Sequence, residues 1–124
     1  MTTILYVEDN EDNIYMLSRR LRREGYEISI ARTGSEGVAL ATDTLPDLII
    51  MDLVLPEMDG FEASTRIRGA EATAQIPIIA LSASVLPEHR HRAIDAGCDD
   101  FETKPVDFPR LLGKIEELLA GRGR

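Results

Sequence analysis

Asp47-Leu48-Ile49-Ile50-Met51-Asp52 carries four apolar residues in a row between two aspartates. A strand with one wet face alternates polar and apolar residues. A strand covered on both faces does not, and such strands belong to parallel sheets flanked by helices. The stretch therefore predicts a buried central strand over 47–51, with Asp52 just beyond its carboxyl end. Pro77-Ile78-Ile79-Ala80-Leu81 reads the same way, as a strand over 77–81. The runs 3–7, 27–31 and 98–101 complete five strand candidates, and Glu27 to Ala31 alternates enough to sit at an edge.

Segments of helical period fill the gaps, which argues for βαβ units in an α/β fold. In the first, Ile14, Leu17 and Leu21 recur at helical spacing and Gly25 supplies a left-handed stop. The second is expected from Ser35, as N-cap, to Thr42, and the third from Gly60 to Gly69. A fourth starts near Pro87 and ends at Gly97. The last carries Phe108, Leu111, Leu112, Ile115, Leu118 and Leu119 as one apolar stripe, followed by a frayed basic tail at 121–124. Right-handed crossovers put helices on both sheet faces. The expected topology is a doubly wound parallel sheet of order 2-1-3-4-5.

At 124 residues the chain forms one domain that needs no staples to bury a core. A net charge of −8 argues against coating nucleic acid or anionic lipid. The single cysteine, Cys98, excludes an internal disulfide framework and leans towards a reducing compartment. Residues 1–7 lack the pattern of a signal peptide, and no apolar run approaches a membrane span, so the expectation is a cytoplasmic protein without membrane insertion.

The chemistry collects at the strand ends. Ile4-Leu5-Tyr6-Val7 runs into Glu8-Asp9, Met51 into Asp52, and Phe101-Glu102-Thr103 into Lys104-Pro105. In a parallel sheet all carboxyl ends share one edge, so three carboxylates and a lysine meet in one pocket. Crowded carboxylates raise one another's pKa unless a cation joins them. A few carboxylates on loops suit Mg²⁺ better than a caged Ca²⁺. Mg²⁺ accepts phosphate oxygens, and a carboxylate can itself become an aspartyl phosphate. Lys104 and a hydroxyl would balance the equatorial oxygens, and Ser82, after the fourth strand, is placed to supply that hydroxyl.

Val7-Glu8-Asp9-Asn10, Met51-Asp52-Leu53-Val54-Leu55-Pro56, Met58-Asp59-Gly60, Ala80-Leu81-Ser82-Ala83 and Lys104-Pro105 occur in this order along the chain. In these stretches the sequence resembles the receiver domains of bacterial two-component response regulators, the CheY-like family, over essentially its whole length. The resemblance implies a flavodoxin-like (βα)5 fold and a single receiver domain over 1–124 with no output domain. It implies Asp52 as phosphoacceptor, Asp9 as a direct Mg²⁺ ligand and Glu8 as a second acid acting through water. Val54 would lend its backbone carbonyl to the metal, Ser82 the switch hydroxyl and Lys104 the phosphate contact. Pro105 matches a proline whose preceding peptide is typically cis. Phe101 matches an aromatic that reports activation by turning inward, and as phenylalanine it has no hydroxyl to hold it outward. Val54 and Ser84 stand where the family modulates hydrolysis, and neither carries a charge to position water, which implies a persistent phosphoryl group.

The implied function is a signalling switch rather than an enzyme with a separate substrate. A histidine kinase or histidine phosphotransfer protein would phosphorylate Asp52, and the face of helix four, strand five and helix five would alter binding of a downstream protein target. A receiver module of a hybrid kinase, a relay shuttle and a phosphate sink are variants of this reading, and Met1, two residues before the first strand, favours a stand-alone protein. An aspartate-nucleophile phosphatase would need a second aspartate two residues after Asp9, where Glu11 stands. A flavodoxin-type cofactor binder would need a phosphate loop after the first strand, where Glu8 to Asp12 would repel phosphate. His89 and His91, two apart on a helix, do not share a face and are expected to be solvated. Cys98 is expected to pack as a small apolar residue. Tyr15 points away from the Leu17 and Leu21 face and is a candidate for docking the histidine-bearing partner, with Met16 flanking the core.

Overall fold

Strands that are apolar on both faces need cover on both faces, and the topology supplies it. In the computed structural model, which describes residues 1–122, five strands alternate with five helices. These are β1 (Thr3–Val7), α1 (Glu11–Arg23), β2 (Glu27–Ala31), α2 (Gly34–Thr44), β3 (Leu48–Asp52), α3 (Gly60–Gly69), β4 (Ile78–Ser82), α4 (Pro87–Asp95), β5 (Asp100–Thr103) and α5 (Phe108–Arg122). The sheet is wholly parallel, in the order β2-β1-β3-β4-β5. The flavodoxin-like expectation is met, and β2 is an edge strand.

Alternate residues of each strand feed two cores. Leu5, Val7, Ile49, Met51, Ile78 and Ala80 join Ala41 of α2, Ala63 and Ile67 of α3 and Ala93 of α4. Ile4, Tyr6, Leu48, Ile50, Ile79 and Leu81 join Leu17 and Leu21 of α1 and Phe108, Leu111 and Ile115 of α5. The apolar stripes expected on the first and last helices are the surfaces that make this second core. Cys98 is buried in the first, as expected.

The element bounds differ from expectation where hydrogen bonds rather than hydropathy set them. β3 runs to Asp52 and β4 to Ser82, because Asp52 pairs with Leu81 and Ser82 with Thr103. β5 starts two residues late: the Cys98 N–H still bonds Ala93 O of the α4 end, and Asp99 Oδ2 accepts from Ile78 N. Thr33, not Ser35, caps α2, its hydroxyl accepting from Glu36 N at 3.1 Å. That helix continues to Thr44 and stops at the left-handed Leu45. α4 ends at Asp95, two residues before the left-handed Gly97. Of the expected tail, Gly121 and Arg122 continue α5, and Gly123 and Arg124 lie outside the described residues.

One glycine fastens the scaffold to the strand-end edge. A Cβ on Gly60 would lie 2.2 Å from Asp52 O and 2.7 Å from Leu53 Cα. Gly60 N also donates to Leu53 O. Only hydrogen fits between the start of α3 and the end of β3. Gly60→Ala must push the two apart and is expected to lose about 1–3 kcal/mol in a urea melt. Gly69→Ala, with open space at its Cβ, should melt within about 0.5 kcal/mol of the parent or above it.

Candidate functional site

β1 delivers Glu8 and Asp9 to a connector that ends immediately at Asn10, whose side chain caps α1 by accepting from Asn13 N at 2.9 Å. Glu8 N extends the ladder to Ala31 O, which keeps Glu8 at the sheet edge. Asp52 is the last rung of β3. Lys104 follows β5, its N–H bonded to Ser82 O at 2.8 Å, and the Lys104-Pro105 peptide is cis as expected. The parallel sheet thus brings Glu8, Asp9, Asp52, Ser82 and Lys104 to one edge. One carboxylate oxygen from each of Glu8, Asp9 and Asp52 lies within 4.8 Å of the other two. Glu8 and Asp52 are 1% and 4% exposed, whereas Asp9 faces solvent.

Lys104 Nζ holds the buried pair together. It donates to Glu8 Oε1 and to Asp52 Oδ2, at 2.9 Å each. Val54 N donates to Asp52 Oδ1 at 3.0 Å, and Asn10 N to Glu8 Oε2 at 3.3 Å. Burial and the neighbouring Glu8 push Asp52 up to about 6, against the pull of Lys104 and the Val54 N–H. Burial also disfavours ionised Glu8, but hydrogen bonding with Asp52, Lys104 and Asn10 N outweighs it and holds Glu8 below its ordinary value. Burial lowers Lys104, but its two carboxylates more than offset this and raise it. The donors around Asp52 are all hard oxygens, three carboxylates against one ammonium, with one carboxylate open to solvent. That set fits Mg²⁺, which prefers few protein oxygens and retains water.

Ser82 is buried at the end of β4, and its Oγ accepts from Ser84 N at 3.0 Å. Ser84 Oγ in turn accepts from Leu86 N and is hydrogen-bonded to His89 Nδ1. His89 is therefore not simply solvated: the turn before α4 places Ser84 five residues back, within reach of the ring. Phe101 already lies inside, 5% exposed in the core with Ala80, Ala93 and Cys98, whose small side chains leave room for the ring. Arg90 stands 6.0 Å from its centroid. Tyr15 is 63% exposed, as expected. Met16 is 64% exposed, yet it lines a groove with Leu17, Tyr6 and Phe108, at the margin of the core as expected.

Two features escaped the sequence reading. Tyr6, fully buried, donates its phenol to Glu8 Oε1 at 3.1 Å. Burial first, then Glu8, raises that phenol well above its ordinary range, so it stays a donor. The signal was present, since residues two apart on a strand share a face. Glu102, also buried, is gripped by Arg110 Nε, which lies 2.9 Å from both carboxylate oxygens, and by Lys114 Nζ at 3.5 Å. Arg110 and Lys114 are one helical turn apart, but only the docking of α5 on β5 reveals their target.

A model of the response regulator receiver domain matches residues 4–116. The chain belongs to this family. It is 35% identical to Protein PilH of Pseudomonas aeruginosa, over 98% of this chain and 100% of that one. It is 38% identical over 119 residues to the DNA-binding dual master transcriptional regulator RpaA of Synechocystis, but spans only 49% of that protein. The receiver domain of a sensor histidine kinase of Pseudomonas aeruginosa, solved with magnesium coordinated in its active-site cleft, superposes with a TM-score of 0.90 at 34% identity. That match covers 96% of this chain and 98% of the solved one. The chain is a phosphorylation-activated signalling switch of the two-component type. Receiver domains act with histidine kinases and bind Mg²⁺ in their active sites. Among the described residues no helix is long and apolar enough to cross a membrane.

A carboxyl whose pKa is higher folded than unfolded opposes folding wherever the folded form must ionise. For Asp52 that penalty is complete above about pH 6 and vanishes as pH falls towards 4. In chelator at pH 7.5, Asp52→Asn should be more stable than the parent by about 1–3 kcal/mol. The gain should shrink as thermal melts are repeated down to pH 4. A gain that grows on acidification would contradict this electrostatic account.

Proposed function

We propose that Asp52 is the phosphoacceptor and that Glu8, Asp9, Asp52 and the backbone carbonyl of Val54 hold Mg²⁺. The observation that carries this reading is the Lys104 ammonium, 2.9 Å from both Asp52 and Glu8 at the edge where three strands end. Bound Mg²⁺ would neutralise the carboxylates and orient phosphoryl oxygens. An Asp52 oxygen attacks phosphorus while the bond to the donor histidine nitrogen breaks, and that nitrogen leaves with the bonding pair. Lys104 turns from the Asp52 carboxylate to a phosphoryl oxygen and balances the charge that gathers there. Ser82 supplies the hydroxyl that follows the phosphoryl group. The protein assists its own phosphorylation and hydrolysis but turns over no separate substrate.

The output follows from what Ser82 releases. Once its oxygen turns to the phosphoryl group, the bond from Ser84 N is lost, and with it the tie through Ser84 to His89 on α4. Phosphorylation then shifts a population by its differential contacts in the two states. The face of α4, β5 and α5 changes, and the exposed Val85, Leu86 and Ile94 beside it suit a downstream protein partner. Because Phe101 is already inward, activation needs no swing of this ring, and the change lies between Ser82 and α4. The phosphodonor is a histidine kinase or histidine phosphotransfer protein, and the whole chain acts as one receiver without direct nucleic-acid contact. Tyr15, whose ring meets Arg19, docks the donor on α1.

Intact mass after exposure to acetyl phosphate tests the site. The parent should gain one phosphoryl group only with Mg²⁺, and Asp52→Asn should gain none. Lys104→Ala should phosphorylate about 10²-fold more slowly. An undiminished gain in Asp52→Asn would remove Asp52 from this role. With a cognate phosphohistidine donor, Tyr15→Ala should transfer more slowly while its rate with acetyl phosphate is unchanged. Equal slowing in both assays would refute docking at Tyr15.

A further inference from the structure

We propose that Tyr6 is a positioning residue for the cation site: its buried phenol holds Glu8 Oε1 and so keeps Glu8 Oε2 turned to the metal's hydration shell. The inference rests on reading Glu8, Asp9 and Asp52 as the Mg²⁺ site, and it adds a residue that directly touches neither metal nor phosphate.

Tyr6 stands two residues before Glu8 on β1, in the same buried cluster as Leu17, Leu81 and Phe108. Tyr6 is only 1% exposed, and its hydroxyl donates to Glu8 Oε1. A buried hydroxyl without an acceptor is costly, so the phenol and the carboxylate are bound to each other by the packing of the ring. The two oxygens of Glu8 are unequally used. Oε1 accepts from Tyr6 and from Lys104 Nζ, at 3.1 and 2.9 Å. Oε2 accepts the longer backbone bond from Asn10 N, at 3.3 Å. Oε2 is therefore the oxygen with lone pairs left for a cation or its water.

Lys104 alone cannot keep this arrangement. Its ammonium is shared with Asp52 at the same 2.9 Å and is drawn to phosphoryl oxygens when Asp52 is modified. A glutamate also has rotamer freedom to lose when it is fixed. Tyr6 is rigid, packed and still a donor when Lys104 turns away, so Glu8 does not follow the lysine. Partners that orient a metal-binding group without touching the metal commonly change affinity by 10–100-fold.

Mg²⁺ titration of the full chain by isothermal calorimetry tests this, since it reads the site without phosphorylation. Tyr6→Phe keeps the ring and its packing, and a melt in chelator confirms that it folds. Its Mg²⁺ dissociation constant is expected to rise on the order of tenfold. Glu8→Gln should also bind more weakly, and adding Tyr6→Phe to it should weaken binding no further, because the phenol acts through the Glu8 carboxylate. Unchanged Mg²⁺ affinity in Tyr6→Phe, even with a lower melting temperature, would show a satisfied core hydroxyl and overturn the proposal. Equal losses from Tyr6→Phe in the presence and absence of the Glu8 carboxylate would overturn it too. Absence of Mg²⁺ binding by the parent chain would instead overturn the metal-site reading beneath it.

Discussion

The half-buried Lys104, bonded to two buried carboxylates, is the interaction around which the site is organised. Two carboxylates with almost no solvent access would repel strongly at the separation seen between Glu8 and Asp52. At an effective dielectric near 20, unit charges 4 Å apart interact by about 4 kcal/mol, so the one ammonium that touches both carboxylates is what allows them to stand side by side. Three carboxylates and one lysine leave an excess of negative charge at the sheet edge. The pKa of Asp52 is raised first by burial and then by the neighbouring Glu8, against the pull of Lys104. A divalent cation would relieve the excess, and an incoming phosphoryl group would reopen the competition for Lys104. The same imbalance underlies both the metal binding and the phosphorylation proposed for this edge.

The scaffold around this edge is not held with uniform strength. Arg68 of α3 bonds the carbonyls of Ala74 and Gly97 and pairs with Asp99 at 2.8 Å, tying α3 to the turns before β4 and β5. α4 lies at the other extreme. It spans nine residues, buries only Ala93 and has no side-chain cap at Leu86. Elements with few buried apolar contacts open at low free energy. The hydrogen bonds from Ser82 through Ser84 to His89 join the most reactive part of the edge to its least anchored helix. A small displacement of Ser82 is therefore felt in α4 rather than in α3.

On β5 a different economy operates. Phe101, inward-facing, is sheltered by small residues, while the adjacent Glu102 is buried and balanced by Arg110 and Lys114 of α5. Lys114 also reaches Asp100 at 3.6 Å and the Phe101 carbonyl. Burying a carboxylate is tolerable only because α5 brings two cations to it. That arrangement fastens α5 to the last strand and leaves α4 as the adjustable member of the face.

Runs such as Leu48 to Met51 and Ile78 to Leu81 determined that the sheet is parallel and covered on both sides, because only such strands dispense with alternation. From that alone the convergence of Glu8, Asp9, Asp52, Ser82 and Lys104 followed, since parallel strands end on one edge whatever fills the loops. Local sequence could not place the last rungs, so Asp52 and Ser82 were expected just past strands that they in fact complete: inter-strand bonds, not hydropathy, end a strand. Nor could it show that Tyr6 serves Glu8, that Glu102 is buried beneath Arg110, or that His89 reaches Ser84. Each is a polar group whose partner is chosen by packing or by the course of a turn. Which residues carry chemistry was written in their types and positions along the chain; which donors hold them was decided only when tertiary packing excluded water and left each buried polar group only the neighbours packed against it.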